Sequence, residues 1–188
     1  MKKQLMFLSI ATIIGLSGCG NNASQENHAN SNKESKHEEM NHEGMNHSSS
    51  GEVPKGLKEA KNPTYQVGDE AIMHTDHMEG MNGAKATIVG AYDTTAYAIS
   101  YTPTTGGKRV TNHKWVIHEE IKNAGDKPFK PETEVTIMAD HMKGMNGATA
   151  KIDSTEQTTV YMVDYTPTTG GEKVTNHKWV TESELSTK

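Results

Sequence analysis

The residues best suited to chemistry in this 188-residue chain are imidazoles and thioethers that recur together. His77, Met78 and Met81 lie in the string D-H-M-x-G-M-N-G-A at Asp76–Ala84, and His141, Met142 and Met145 hold the same places in a second copy at Asp140–Ala148. Thioether sulfur beside imidazole nitrogen suits copper, whereas magnesium and calcium need oxygen cages that this string does not offer. Copper is the expected ligand: Cu(I) is favoured by the thioethers, and Cu(II) is accepted by imidazole. His113 and His177 stand in a second repeated string, V-T-N-H-K-W-V, from which a strand can supply a further donor. A third cluster, Met40, His42, Met45 and His47, reuses the same two ligand types in an M-N-H-E-G-M-N-H tract, and short His-rich tracts are a compositional signal for metal binding.

Each of these residues has a plainer reading. Methionine fills cores, so Met78 and Met81 fit packing against Trp115 or Trp179 as well as coordination, and His113 and His177 also fit structural histidines bonded to backbone. The tract around Met40 has no core to pack into, and that favours metal. His74 in the first copy is replaced by Met138 in the second, one copper ligand type for another; His118 is replaced by Glu182 and carries little weight. Asp76 and Asp140 read as loop caps or as partners that orient the adjacent histidine. Lys114 and Lys178 read as solvated strand residues. Gly80, Gly83, Gly144 and Gly147 read as turn glycines, since neither a basic residue nor an amphipathic helix completes a phosphate cradle. Without a nucleophile elbow, a paired-carboxylate cleft or an H-E-x-x-H motif, the chain is not expected to be an enzyme.

The elements that must position these groups also come in duplicate. Y-T-P-T-T-G-G follows at Tyr101–Gly107 and Tyr165–Gly171, in register with the other strings, so the chain carries a duplicated domain. Val135 and Ile137, then Ala84, Ala86 and Ile88, then Tyr97, Ile99 and Tyr101 alternate with polar residues at the period of half-buried strands. Proline followed by paired glycines marks a hairpin. About five short strands per copy predict an all-β fold of two tandem small SH3-like, alternatively OB-like, barrels at residues 62–125 and 126–188. The hydrophobic fraction of 32% supports two small cores better than one large one.

Ahead of the repeats, Lys2, Lys3 and an apolar run ending in Leu16-Ser17-Gly18-Cys19 read as a lipoprotein signal peptide, residues 1–18, cleaved before a lipidated Cys19. Cys19 is the only cysteine, so no internal disulfide forms and soft ligands must come from methionine. Two acyl chains make a stable anchor on the extracytoplasmic face of the cell membrane. Residues 19–61, rich in Asn, Ser, His, Glu and Lys, read as a disordered tether. A formal charge of -5 argues against nucleic acid as a partner.

The lipobox, the Met/His tract and the doubled motifs together resemble the YdhK/CopL-type family of bacterial lipoproteins, over the whole mature chain. The resemblance implies an extracytoplasmic, membrane-anchored copper-binding protein that protects against copper excess, beside a copper-exporting ATPase or a multicopper oxidase. Sequestration or buffering is the expected role. Two alternatives stand beside it: a copper chaperone to an oxidase or exporter, and a cell-wall or partner-binding module whose Trp115, Trp179 and tyrosines line an aromatic groove.

Overall fold

The computed structural model describes residues 47–187. The signal segment, Cys19 and the first three members of the Met/His tract, Met40, His42 and Met45, lie outside them. The strands are β1 (Lys58–Glu59), β2 (Glu70–Met73), β3 (Lys85–Tyr101), β4 (Val110–Ile117), β5 (Glu134–Thr136), β6 (Thr149–Tyr165), β7 (Val174–Thr181) and β8 (Leu185–Ser186). Single helical turns at His118–Glu120 and Glu182–Glu184 follow β4 and β7. The chain is all-β, with two repeats, as the alternation pattern requires.

The repeats are joined differently from two free-standing barrels. The segments that read as two short strands in each copy are one 17-residue strand, β3 in the first and β6 in the second. The threonines and small residues at their centres keep an extended backbone. β3 and β6 pair antiparallel from Ala86 opposite Tyr165 to Tyr101 opposite Ala150, so all eight strands form one sheet. β2 pairs with the first part of β3 and with β8, while β7 pairs with the last part of β6. At the other end β4 pairs with the last part of β3, and β5 with the first part of β6.

Each half of the sheet therefore wraps a core drawn from both repeats. Met73, Met81, Ala86 and Ile88 from the first pack with Tyr161, Val163, Tyr165, Val180 and Leu185 from the second. In the other core Tyr97, Ile99, Tyr101 and Val116 pack with Ile137, Met145, Ala150 and Ile152. Between them lies a third cluster in which Trp115 and Ile117 meet Val160, Met162 and Trp179. Each fully buried large side chain contributes roughly 1.5–3 kcal/mol of transfer free energy. A single repeat would lack the residues that its twin contributes to each core.

The described end of the tether also departs from expectation. Ser49 N–H donates to Thr175 O at 3.0 Å, Ser49 Oγ to Asn176 O at 2.7 Å and Asn176 Nδ2 to Ser49 O at 3.1 Å. Residues 48–51 thus lie along the start of β7, and β1 pairs with the middle of β3. Backbone groups that a disordered tether would leave to water are satisfied here by the sheet.

Candidate metal centre

The D-H-M-x-G-M loop must hold a histidine and two methionines in fixed directions, and the hairpin of the opposite repeat does the holding. Thr168 N–H donates to Gly80 O at 2.9 Å, and Thr104 N–H donates to Gly144 O at 2.9 Å. Gly80 has φ +78°, and a Cβ there would stand 2.7 Å from both Pro167 Cβ and Thr169 Oγ1. Gly144 has φ +79°, with Thr105 Oγ1 2.6 Å from the same point. Positive φ and the close approach together demand glycine. This is what the repeated Y-T-P-T-T-G-G string does: it clamps the partner repeat's loop.

The two methionines of each loop go separate ways. Met81 and Met145 are fully buried, one in each mixed core. Met78 and Met142 are half-buried and line a cavity. Packing therefore accounts for Met81 and Met145, which sequence alone placed among the metal ligands.

That cavity, about 640 Å³, draws its lining from both repeats and from residues 47–55. His77, His141, His113, His177 and His47 all face it, with Met78 and Met142; Met138, the counterpart of His74, lines it too. His74 itself stays outside, exposed and bonded through Nε2 to Ser186 Oγ at 2.6 Å. His118 is held between Tyr97 Oη and Gly125 O and is structural. Sequence reasoning expected sites on the tether and on each barrel; the fold brings His77, Met78 and His113 together with their counterparts His141, Met142 and His177 around one cavity.

His77 and His141 are gripped at one nitrogen. His77 Nε2 lies 2.7 Å from Glu184 Oε1, and His141 Nε2 lies 2.7 Å from Glu120 Oε1. Each carboxylate also accepts the indole N–H of a tryptophan, Trp115 for Glu184 and Trp179 for Glu120. Both glutamates end the single helical turns, where their side chains fold back to the backbone N–H of Thr181 and Ile117 as in a capping box. Burial pushes the Glu184 carboxyl up, but the hydrogen bond and charge of His77, with the N–H groups of Thr181 and Trp115, outweigh it and hold Glu184 at about 2. An ionised carboxylate only accepts, so His77 Nε2 carries the proton. The Nδ1 atoms of His77 and His141 are buried and have no hydrogen-bond partner.

His177 is buried against Tyr165, with ring centroids 5.7 Å apart. Its burial, and then the charges of His77, His141, His47 and His113, lower it to about 3. His113 makes the matching edge contact with Tyr101 at 6.1 Å. Tyr101 Oη donates to Met142 Sδ at 3.9 Å, which aims that sulfur. The peptide bonds Lys114–Trp115 and Lys178–Trp179 are cis in both copies. Lys114 and Lys178 are not simply solvated: they line the cavity and lie over the Trp115 and Trp179 rings at 5.0 and 5.8 Å.

Among the described residues, no group of three or more His, Cys, Asp or Glu side chains is placed to hold a metal ion by itself. The cavity sets the thioethers of Met78 and Met142 among its imidazoles. The two orphaned Nδ1 atoms fit a soft cation, because a lone pair buried without a donor is stabilised by coordination.

The profile of a family described as proteins of unknown function, DUF1541, matches residues 67–118 and 132–182, one copy for each repeat. The chain belongs to the DUF1541 family. It is 60% identical over 192 residues to the uncharacterized protein YdhK of Bacillus subtilis (strain 168), spanning 100% of this chain and 90% of that one. The crystal structure of a DUF1541 family protein, ydhK, from Bacillus subtilis subsp. subtilis str. 168 at 2.00 Å aligns with a TM-score of 0.75 at 67% identity, over 78% of this chain and 100% of that chain. The solution NMR structure of the ydhK C-terminal domain aligns with a TM-score of 0.63 at 68% identity, over 65% and 93%.

What sequence reasoning missed is the pair Glu120 and Glu184, which stand just past the ends of the two matched stretches. It assigned the orienting role to Asp76 and Asp140, the neighbours in sequence. The available signal was their recurrence: of the three residues in each helical turn, His118-Glu119-Glu120 against Glu182-Ser183-Glu184, only the last is the same in both copies.

Proposed function

We propose that this DUF1541 protein is an extracytoplasmic copper-binding lipoprotein, anchored through Cys19, that sequesters or buffers copper and contributes to copper resistance. The observation that carries the reading is the cavity lined by five imidazoles and the thioethers of Met78 and Met142, where His77 and His141 each keep a buried Nδ1 without a partner. Copper leaving an exporter or arriving from outside is captured there without turnover, the thioethers favouring Cu(I) and the imidazoles accepting Cu(II). A copper-exporting ATPase or multicopper oxidase is the natural neighbour, and the His/Met tract ahead of the fold would extend the same chemistry along the tether. Delivery to such a partner instead of storage needs faster release, and dissociation rates distinguish the two.

The cell-wall reading loses its support, since Trp115, Trp179, Tyr97, Tyr101, Tyr161 and Tyr165 are buried in the cores and offer no aromatic groove. The deciding experiment is metal bound per chain after dialysis of the mature protein against Cu(I) and Cu(II). The expected result is copper retained by the wild type and reduced retention when His77 and His141 are both changed to Ala. A wild type that emerges empty overturns the reading.

A further inference from the structure

We propose that Glu184 and Glu120 are positioning residues for a copper centre whose imidazole donors are His77 Nδ1 and His141 Nδ1, each carboxylate reaching its histidine from the opposite repeat. The inference rests on the copper reading above and names the donor atoms and what fixes them. His77 and Glu120 lie in residues 62–125, and their counterparts 64 positions on, His141 and Glu184, lie in residues 126–188; each glutamate pairs with the histidine of the other half. The exchange is reciprocal, so neither half of the centre is complete within its own repeat.

The argument turns on which nitrogen carries the proton. Glu184 Oε2 accepts Trp115 Nε1 at 2.8 Å and Thr181 N at 3.0 Å, while Oε1 accepts Thr75 Oγ1 at 3.2 Å and faces His77 Nε2 at 2.7 Å. Glu120 Oε2 accepts Ile117 N at 3.1 Å, Trp179 Nε1 is shared between Oε1 and Oε2 at 3.2 Å each, and Oε1 faces His141 Nε2 at 2.7 Å. A carboxylate so surrounded by donors compels the imidazole to present N–H at Nε2. In the neutral imidazole, the form that binds metal, the lone pair is then on Nδ1, which lies buried without a hydrogen-bond partner in both rings. Holding the second nitrogen by a carboxylate is also how ligating histidines are oriented and made more basic.

Glutamine in place of either glutamate makes a sharp test because it keeps the shape and reverses one polarity. At Glu184→Gln the amide oxygen must stay where the indole and backbone N–H groups point, which turns the NH2 toward His77 Nε2. That nitrogen must then accept, and the proton moves to Nδ1, removing the donor lone pair. Glu120→Gln does the same to His141.

The experiment uses the mature chain in three forms: wild type, Glu184→Gln and Glu120→Gln. Nitrogen-15 spectra of the metal-free imidazoles report the tautomer, and competition with a chromophoric Cu(I) chelator reports affinity. The expected result is Nε2–H for His77 and His141 in the wild type. Glu184→Gln should move only His77 to Nδ1–H and Glu120→Gln only His141, each with 10–100-fold weaker Cu(I) binding, the range for loss of an orienting partner. This crossed pattern cannot arise from general unfolding, because each variant carries the other histidine as its control. Wild-type Nδ1–H tautomers, or variants that bind Cu(I) as tightly as the wild type, overturn the inference and leave the copper reading standing. A wild type that takes up no copper overturns both.

Discussion

Met78 and Met81 are separated by two residues, yet one faces a cavity of imidazoles and the other is sealed in a core, as are their counterparts Met142 and Met145. Leucine separates the two roles, because it conserves volume while deleting the sulfur. Met81→Leu with Met145→Leu should leave copper stoichiometry unchanged and cost less than about 1.5 kcal/mol per site in urea denaturation. Met78→Leu with Met142→Leu should weaken Cu(I) binding with little change in stability. Both outcomes are read from chelator competition and unfolding midpoints on the same samples. The ligand types were legible in the sequence. Which methionine of each loop faces the cavity was not, since three residues of separation on an irregular loop fixes no direction.

At the scale of elements, the loop carrying His77 and Met78 is shaped by a hairpin far away in the chain. Gly80→Ala would place a methyl 2.7 Å from Pro167 Cβ at a backbone φ of +78°, combining overpacking with a disfavoured conformation. The expected cost is about 2–4 kcal/mol, the sum of a positive-φ penalty and a steric one. Gly83, with a similar φ of +79° but nothing within 4 Å of its Cβ position, should cost only about 1 kcal/mol on the same change. Equal losses at the two glycines in urea titrations would remove the clamp from the account. Both glycines read as turn residues from the sequence, and both lie in turns at positive φ. The additional constraint at Gly80 comes from a neighbour at Pro167, and local pattern carries no information about such a contact.

For the molecule as a whole, stability should fall with acid. The unfolded chain protonates His177 near 6.5, whereas the native state resists protonation to about 3. Across that interval the unfolded state holds the extra proton, so stability decreases as pH is lowered. Glu184, lowered from 4.5 to about 2, acts with the same sign: its contribution is present above pH 4.5 and is lost as pH falls through 2. The urea midpoint of the metal-free protein should therefore be lower at pH 4.5 than at pH 7.5, and His177→Asn should flatten that difference. The exchanged cores make a second prediction. Because each core takes strands from both repeats, residues 62–125 or 126–188 produced alone should be unstructured as monomers and gain β-structure only on pairing into dimers, visible as concentration-dependent circular dichroism and sedimentation.

Periodicity, composition and the repeated strings by themselves determined the all-β class, the duplication and the hairpins, and they supplied the imidazoles and thioethers that line the cavity, because each of these depends on residue type and short-range spacing. Only the tertiary structure decided that β3 and β6 run unbroken past one another, that the two cores are mixed, and that Glu184 and Glu120 hold His77 and His141. Two repeats that share their motifs and strand pattern have similar local preferences whether each closes on itself or trades halves with its twin. The choice rests on which long-range pairing buries more apolar surface and satisfies more backbone, quantities that belong to the assembled sheet.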